Sequence, residues 1–115
     1  MGKFKEENSL DARKAECDKI RKHWPDKIPV VAEKITGSKL SEIPKSKLIC
    51  PQNYKVYQFL AYLRSKLSLD RKESLFIFFN NTLIQGDRLM GDLYQQHKEE
   101  DGFLYMVYSE HEYLG

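Results

Sequence analysis

Apolar residues recur along the chain in two rhythms. Val56, Phe59, Leu60, Leu63 and Leu67 fall at i, i+3, i+4, i+7 and i+11, one continuous stripe down a helix. Burying five such side chains contributes roughly 1.5–3 kcal/mol each before chain entropy is charged. A helix over Lys55–Leu67, capped by Asn53 after the break Pro51-Gln52-Asn53, is therefore predicted to organise the core. The short run before it, Lys47–Cys50, reads as a strand at or near a sheet edge.

The other rhythm is that of strands. Ile28–Lys34 (IPVVAEK) is β-branched and apolar, with Pro29 removing one ladder donor near its start. The turn-rich TGSKLSEIPKS joins it to Lys47–Cys50, which predicts an antiparallel hairpin. Leu75–Phe79 (LFIFF) is apolar on both faces and is predicted to be central in the sheet. Asn80-Asn81 turns the chain, Thr82–Ile84 is a candidate very short strand, and Gln85-Gly86-Asp87 turns it again. Leu89–Lys98 reads as a short helix with Leu89, Leu93 and Tyr94 on one face. After the acidic turn Glu99-Glu100-Asp101-Gly102, Phe103–Tyr108 (FLYMVY) is the last strand, followed by a polar tail, SEHEYLG.

Residues 3–23 read as two helices, about Phe4–Asn8 and Leu10–His23, with Ser9 capping the second and Pro25 stopping it. Leu10, Ala12, Ala15, Cys17 and Ile20 make too thin an apolar face for a core helix, so this layer is expected on the outside of the domain. The division expected is an N-terminal helical extension over 1–24, a domain over 25–109 and a tail over 110–115.

Composition narrows the functional classes. The chain has 115 residues, 41% hydrophobic and 31% charged, with mean hydropathy −0.63, which suits one soluble domain with one core. No apolar run approaches the roughly 18 residues a membrane span needs, and the N-terminus lacks a signal-peptide apolar region. Cys17 and Cys50 have no metal or redox spacing, so free thiols are expected. His23, His97 and His111 are scattered, with no triad or metal spacing toward either cysteine. No catalytic residue, metal or cofactor is expected, and the protein is read as a non-enzyme. Net charge is only +2, yet residues 28–84 carry nine Lys/Arg against four Asp/Glu, net +5, and residues 85–115 two against seven, net −5. Most aromatics sit inside apolar periodic runs, so no stacking platform for nucleic acid is expected. The basic middle suits acidic peptides or anionic lipid.

Several runs carry a resemblance: KIRKHWPDKIPVVAEK (Lys19–Lys34), KSKLICP (Lys45–Pro51), FIFFNN (Phe76–Asn81), MGDLYQQHKEEDGFLYMVYS (Met90–Ser109) and the terminal Gly115. Together they resemble the GABARAP-type ubiquitin-like autophagy modifiers across essentially the whole chain. The resemblance implies an α+β, ubiquitin-like β-grasp fold with two additional N-terminal helices and a four-stranded mixed sheet. It implies conjugation through Gly115 to phosphatidylethanolamine, and a role in autophagosome formation and receptor or cargo recruitment. It also implies docking of aromatic-x-x-aliphatic peptides along the Lys47–Cys50 strand. By similarity, Glu16, Ile20, Pro29, Lys47, Ile49 and Phe103 line the aromatic pocket. Leu48, Cys50, Pro51, Tyr54, Phe59, Tyr62 and Leu63 line the aliphatic one, and Lys27, Lys45, Lys47 and Lys66 meet acidic partner residues.

Spacing alone would make Phe59 and Leu63 core residues and Lys45 and Lys47 guards of an exposed edge; the resemblance turns them into binding residues. Leu48 and Cys50 depart from the aromatic and the valine or similar residue that relatives often carry, and both alter the second pocket. Leu114 stands before Gly115 where most relatives have an aromatic, so the chain is either the mature form or one whose gene ends at glycine. The implied partners are activating and conjugating enzymes of the ubiquitin-like pathway, motif-bearing receptors and adaptors, phosphatidylethanolamine membranes after conjugation, and tubulin. The implied location is cytoplasmic, and membrane-associated once lipidated. The alternative is a non-conjugated docking module for trafficking or microtubule-associated partners.

Overall fold

The computed structural model describes residues 2–43, 45–70 and 72–112. In chain order they form α1 (Lys3–Glu7), α2 (Leu10–His23), β1 (Lys27–Lys34), β2 (Lys47–Pro51), α3 (Val56–Leu67), β3 (Phe76–Phe79), β4 (Thr82–Leu83), α4 (Met90–His97) and β5 (Leu104–Ser109). The strands make one sheet in the order β2-β1-β5-β3-β4, with β1 and β5 parallel and every other pair antiparallel. This is a ubiquitin-like β-grasp carrying two N-terminal helices. The sheet has five strands where four were expected. Asn80 and Asn81 both adopt positive φ, 49° and 64°, and this two-residue turn folds Thr82–Leu83 back onto Phe78 and Phe79. A second correction concerns the middle of the sheet, which is β5; β3 lies between β5 and the short edge strand β4.

Pro29 sits inside a paired strand without cost, and the ladder explains how. The Ala32 N–H donates to the Ser46 carbonyl at 2.9 Å, and the Gln52 N–H to the Asp26 carbonyl at 3.1 Å. On this register Ile28, Val30 and Ala32 exchange bonds with β2. Pro29 instead turns its nitrogen to the other side, one position before the β1–β5 pairing begins at Val30 and Leu104.

One sheet face carries Val30, Ala32, Leu48, Cys50, Ile77, Leu104, Met106 and Tyr108, packed with Val56, Phe59, Leu63 and Leu67 of α3. The predicted stripe is therefore the core stripe, with Leu60 partly buried beside it. Asn53 is not the cap of α3. Lys55 holds that position, its N–H donating to Gln58 Oε1 at 2.8 Å. The first-turn N–H groups of Val56 and Tyr57 go to the carbonyls of Arg88 (2.9 Å) and Gly86 (3.0 Å), so a distant loop satisfies donors that a local side chain was expected to serve.

The opposite face is covered by the N-terminal helices. Ser9 caps α2 as expected, accepting from the Ala12 N–H at 3.1 Å. Cys17 and Ile20, the two buried residues of α2, pack on Val31 and Phe103, with Phe4, Ile49 and Tyr105 around them. The Phe4 and Phe103 rings meet edge to face with centroids 5.3 Å apart.

The acidic turn fastens this thin layer. Arg13 Nε donates to Asp101 Oδ2 at 2.9 Å, and Asp101 Oδ1 accepts from the Phe103 N–H at 2.9 Å. The Tyr105 hydroxyl also donates to Asp101, and Lys5 pairs with Glu99. Arg13 reaches the Asn8 carbonyl as well, at 2.6 Å. Gly102 lies in the left-handed region, φ 93°, and a Cβ there would stand 2.4 Å from Cys17 Sγ, so only glycine lets the turn close on α2.

The Asp101 side chain is 1% exposed, and removing one partner of a buried pair strands the other. Asp101→Ala is expected to lower unfolding stability by about 3–5 kcal/mol, read from urea denaturation; a loss within experimental error would mean the clamp is dispensable.

Candidate functional site

β2 is one outer strand of the sheet, paired on one side with β1. Because Ser46, Leu48, Cys50 and Gln52 spend their backbone groups on β1, the N–H and C=O of Lys47 and Ile49 point away from the sheet. The Pro51 carbonyl is already taken by the Tyr54 N–H at 3.1 Å. An extended segment laid along this edge therefore meets two donors and two acceptors, the elements of strand addition.

The side chains of β2 divide between two faces. Lys47 and Ile49 face α2; Leu48 and Cys50 are buried among the main core residues under α3. Between α2 and β2 lies a groove of about 300 Å³, with Glu16, Lys19, Ile20, His23 and Trp24 on the helical side and Lys47 and Ile49 on the strand side. Ile20 and Ile49 give it an apolar floor. Trp24, 42% exposed, stands at its end. The Trp24 N–H closes the last turn of α2 on the Ile20 carbonyl at 2.9 Å, and the Trp24 carbonyl takes the Lys27 N–H at 3.0 Å. Lys47 pairs with Glu16 from strand to helix, between the two walls. The hydrogen bond from Lys47 holds the Glu16 carboxyl below its ordinary value against a smaller opposing effect of burial.

Four of the six residues expected in the aromatic pocket, Glu16, Ile20, Lys47 and Ile49, come together in this groove. Pro29 and Phe103 are fully buried and are not among the groove's lining residues. Sequence reasoning missed Lys19, His23 and Trp24. The signal was present for two of them, since Glu16, Lys19, Ile20 and His23 fall at i, i+3, i+4 and i+7 on one side of α2.

On the α3 side, Leu48, Cys50, Phe59 and Leu63 are closed core residues, Pro51 and Tyr54 are half-buried, and Tyr62 is 36% exposed. Burial pushes the Cys50 thiol up to about 12, which leaves it protonated and inert at neutral pH. Lys66 Nζ stands 5.4 Å from the centre of the Tyr62 ring. Lys45 is exposed and Lys27 half-buried. Lys47 begins β2, and Lys27 is the register partner of Pro51 at its other end. Gly115 lies outside the described residues. Among the described residues no group of three or more His, Cys, Asp or Glu is placed to hold a metal, and no helix is long and apolar enough to cross a membrane.

Comparison with known proteins is consistent along the whole chain. The family model described as "Autophagy protein Atg8 ubiquitin like" matches residues 12–115. Autophagy-related protein 8a of Arabidopsis thaliana is 42% identical over 106 residues, 92% of this chain and 87% of the relative. Among solved structures, Trypanosoma brucei ATG8 superposes with a TM-score of 0.94 at 33% identity, covering 100% of this chain and 99% of that one. Plasmodium falciparum Atg8, solved in complex with a Plasmodium falciparum Atg3 peptide, gives 0.88 at 37% identity, covering 99% and 100%.

The Glu16–Lys47 contact has a pH signature. A carboxyl whose folded pKa is lowered adds stability above its unfolded pKa, near 4.5, and loses it as pH falls through the folded value. Both side chains are about one-third exposed, so the pair contributes under about 1 kcal/mol. In an NMR titration Glu16 is expected to titrate below its ordinary value and to return to it in Lys47→Ala; an unchanged midpoint in that variant would refute the pairing.

Proposed function

The chain belongs to the Atg8 ubiquitin-like family of autophagy proteins, and from that premise we propose that it is a modifier conjugated through Gly115 to phosphatidylethanolamine. In this reading it acts in autophagosome formation and recruits receptors and cargo by docking aromatic-x-x-aliphatic motifs on β2. The motif runs between Lys19 and Ser109 support placing it with the GABARAP-type members. The observation that carries the docking half is the open β2 edge, with the outward N–H and C=O groups of Lys47 and Ile49 beside an apolar-floored groove.

The physical steps follow from that geometry. A partner segment adds as a strand, taking the backbone groups of Lys47 and Ile49. Its aromatic residue enters the groove over Ile20 and Ile49. Its aliphatic residue rests against Pro51, Tyr54 and Tyr62, with Leu48, Cys50, Phe59 and Leu63 as the packed base. Acidic residues beside the motif meet Lys27, Lys45 and Lys66, and Lys47 exchanges Glu16 for a partner carboxylate. Charge steers the encounter more than it adds affinity.

Conjugation is the second half. A carboxy-terminal glycine carries no side chain to crowd an adenylate, a thioester or the final amide. Activating and conjugating enzymes are the partners in that sequence, a role supported by the relative solved with an Atg3 peptide. A diacyl lipid on Gly115 supplies two long chains, each buried methylene contributing roughly 0.8 kcal/mol, so a cytoplasmic protein becomes stably membrane-bound. Catalysis belongs to the partner enzymes.

Two variants separate the halves. With the activating and conjugating enzymes, ATP and phosphatidylethanolamine liposomes, the wild-type protein is expected to gain the mass of the lipid and Gly115→Ala to gain none. No gain under conditions that lipidate a relative would sink the modifier reading. The double variant Lys47→Ala/Ile49→Ala is expected to weaken binding of an aromatic-x-x-aliphatic peptide by about tenfold or more in calorimetry, with lipidation largely retained. Equal failure of both activities would contradict the separation of the two sites.

A further inference from the structure

The conjugation reading leaves open how the chain leaves the sheet at its C-terminal end. β5 ends at Ser109, and the next residue, Glu110, is tied across the sequence to the β1–β2 connection. Ser38 Oγ donates to Glu110 Oε1 at 2.8 Å and the Lys39 N–H to Glu110 Oε2 at 2.9 Å. The Leu40 N–H donates in turn to Ser38 Oγ at 3.1 Å. Ser109 Oγ lies 3.3 Å from Glu110 Oε1 and also accepts the His111 N–H at 3.1 Å. The same connection is sewn to β5 just before, through Ile35 N–H to the Tyr108 carbonyl at 2.9 Å and Tyr108 Oη–H to the Ser41 carbonyl at 3.0 Å.

We infer that Glu110 is a positioning residue, a latch whose hold on Ser38 and Lys39 sets the point and direction from which the segment ending in Gly115 starts. This rests on the proposed conjugation at Gly115. Both carboxylate oxygens are engaged by donors some seventy residues away in sequence, which is more orientation than a surface glutamate needs for stability. Backbone N–H groups, its own and that of Lys39, hold the Glu110 carboxyl down at about 2. The carboxylate that accepts these bonds is therefore ionised across the whole neutral range. Gly115 is the fifth residue after Glu110, a reach of at most about 17 Å. Over so short a span the direction of departure strongly limits where the carboxylate can be presented to an enzyme's adenylation site, and a misplacement of an ångström or so in a reacting group costs up to about a hundredfold in rate.

The test uses the full chain with Glu110→Ala, Glu110→Gln and Ser38→Ala. In ATP-dependent charging of the activating enzyme, from free carboxylate through the adenylate to the thioester, Glu110→Ala is expected to lose roughly tenfold in kcat with KM little changed. Glu110→Gln keeps one acceptor oxygen and should recover part of that loss. Hydrogen exchange at the Lys39 amide should quicken in Glu110→Ala and the unfolding midpoint should fall only slightly, with the protein fully folded at the assay temperature, while the affinity for an aromatic-x-x-aliphatic peptide stays at the wild-type value. Wild-type kcat in Glu110→Ala would overturn the inference, as would a loss of rate that merely follows a fall in the unfolding midpoint. If the wild-type chain itself is never charged, the conjugation reading falls, and this inference with it.

Discussion

The outer layer of this protein hangs on one buried carboxylate. α2 buries only Cys17 and Ile20, too little apolar surface to hold a fourteen-residue helix against a sheet by the hydrophobic effect alone. Asp101 makes up the difference by accepting from Arg13, from Tyr105 and from the Phe103 backbone. The helical wall of the candidate site follows from that seating. The groove exists because α2 stops against β1 and β2 at a fixed distance, and its walls are Glu16, Ile20 and His23 on one side and Lys47 and Ile49 on the other. A run that looks in sequence like a solvated acidic turn is thus the fastening of one wall of the groove.

An open edge strand is a hazard as well as an opportunity, because its unpaired backbone groups accept any extended chain. Here the two roles of lysine coincide. Lys45 and Lys47 discourage pairing with an arbitrary apolar strand and favour a segment that brings carboxylates. At the other edge of the sheet the problem is handled by length: β4 has two residues and offers little template. The asymmetry between a five-residue basic edge and a two-residue blunt one leaves β2 as the longer open template of the two.

Most of the fold was legible. The helical stripe of α3, the β-branched run of β1, the Ser9 cap and the hairpin joining β1 to β2 stand where the pattern put them, because each depends on residues close in sequence. The misses share one cause. Lys55 begins α3 in place of Asn53 because the carbonyls of Gly86 and Arg88 reach it from thirty residues away. β5 lies mid-sheet and β3 beside it because strand order depends on pairings between segments some seventy residues apart. Phe103 lies buried beneath α2 with Cys17 and Ile20, a contact across some eighty residues that no local pattern shows.

At the site the same boundary holds. The sequence by itself determined the chemistry available: a basic strand with Lys47 and Ile49 alternating against Leu48 and Cys50, a helix with Glu16, Lys19, Ile20 and His23 on one face, and a glycine at the end. Periodicity is a local property, so it says which side chains share a face. Tertiary structure alone decided that these two faces oppose each other across a groove, that Trp24 closes its end, that Asp101 holds the wall in place, and that Glu110 is tied to Ser38 and Lys39. Those facts are distances between segments far apart in the chain, set by the packing of the whole domain and carried by no pattern in the sequence.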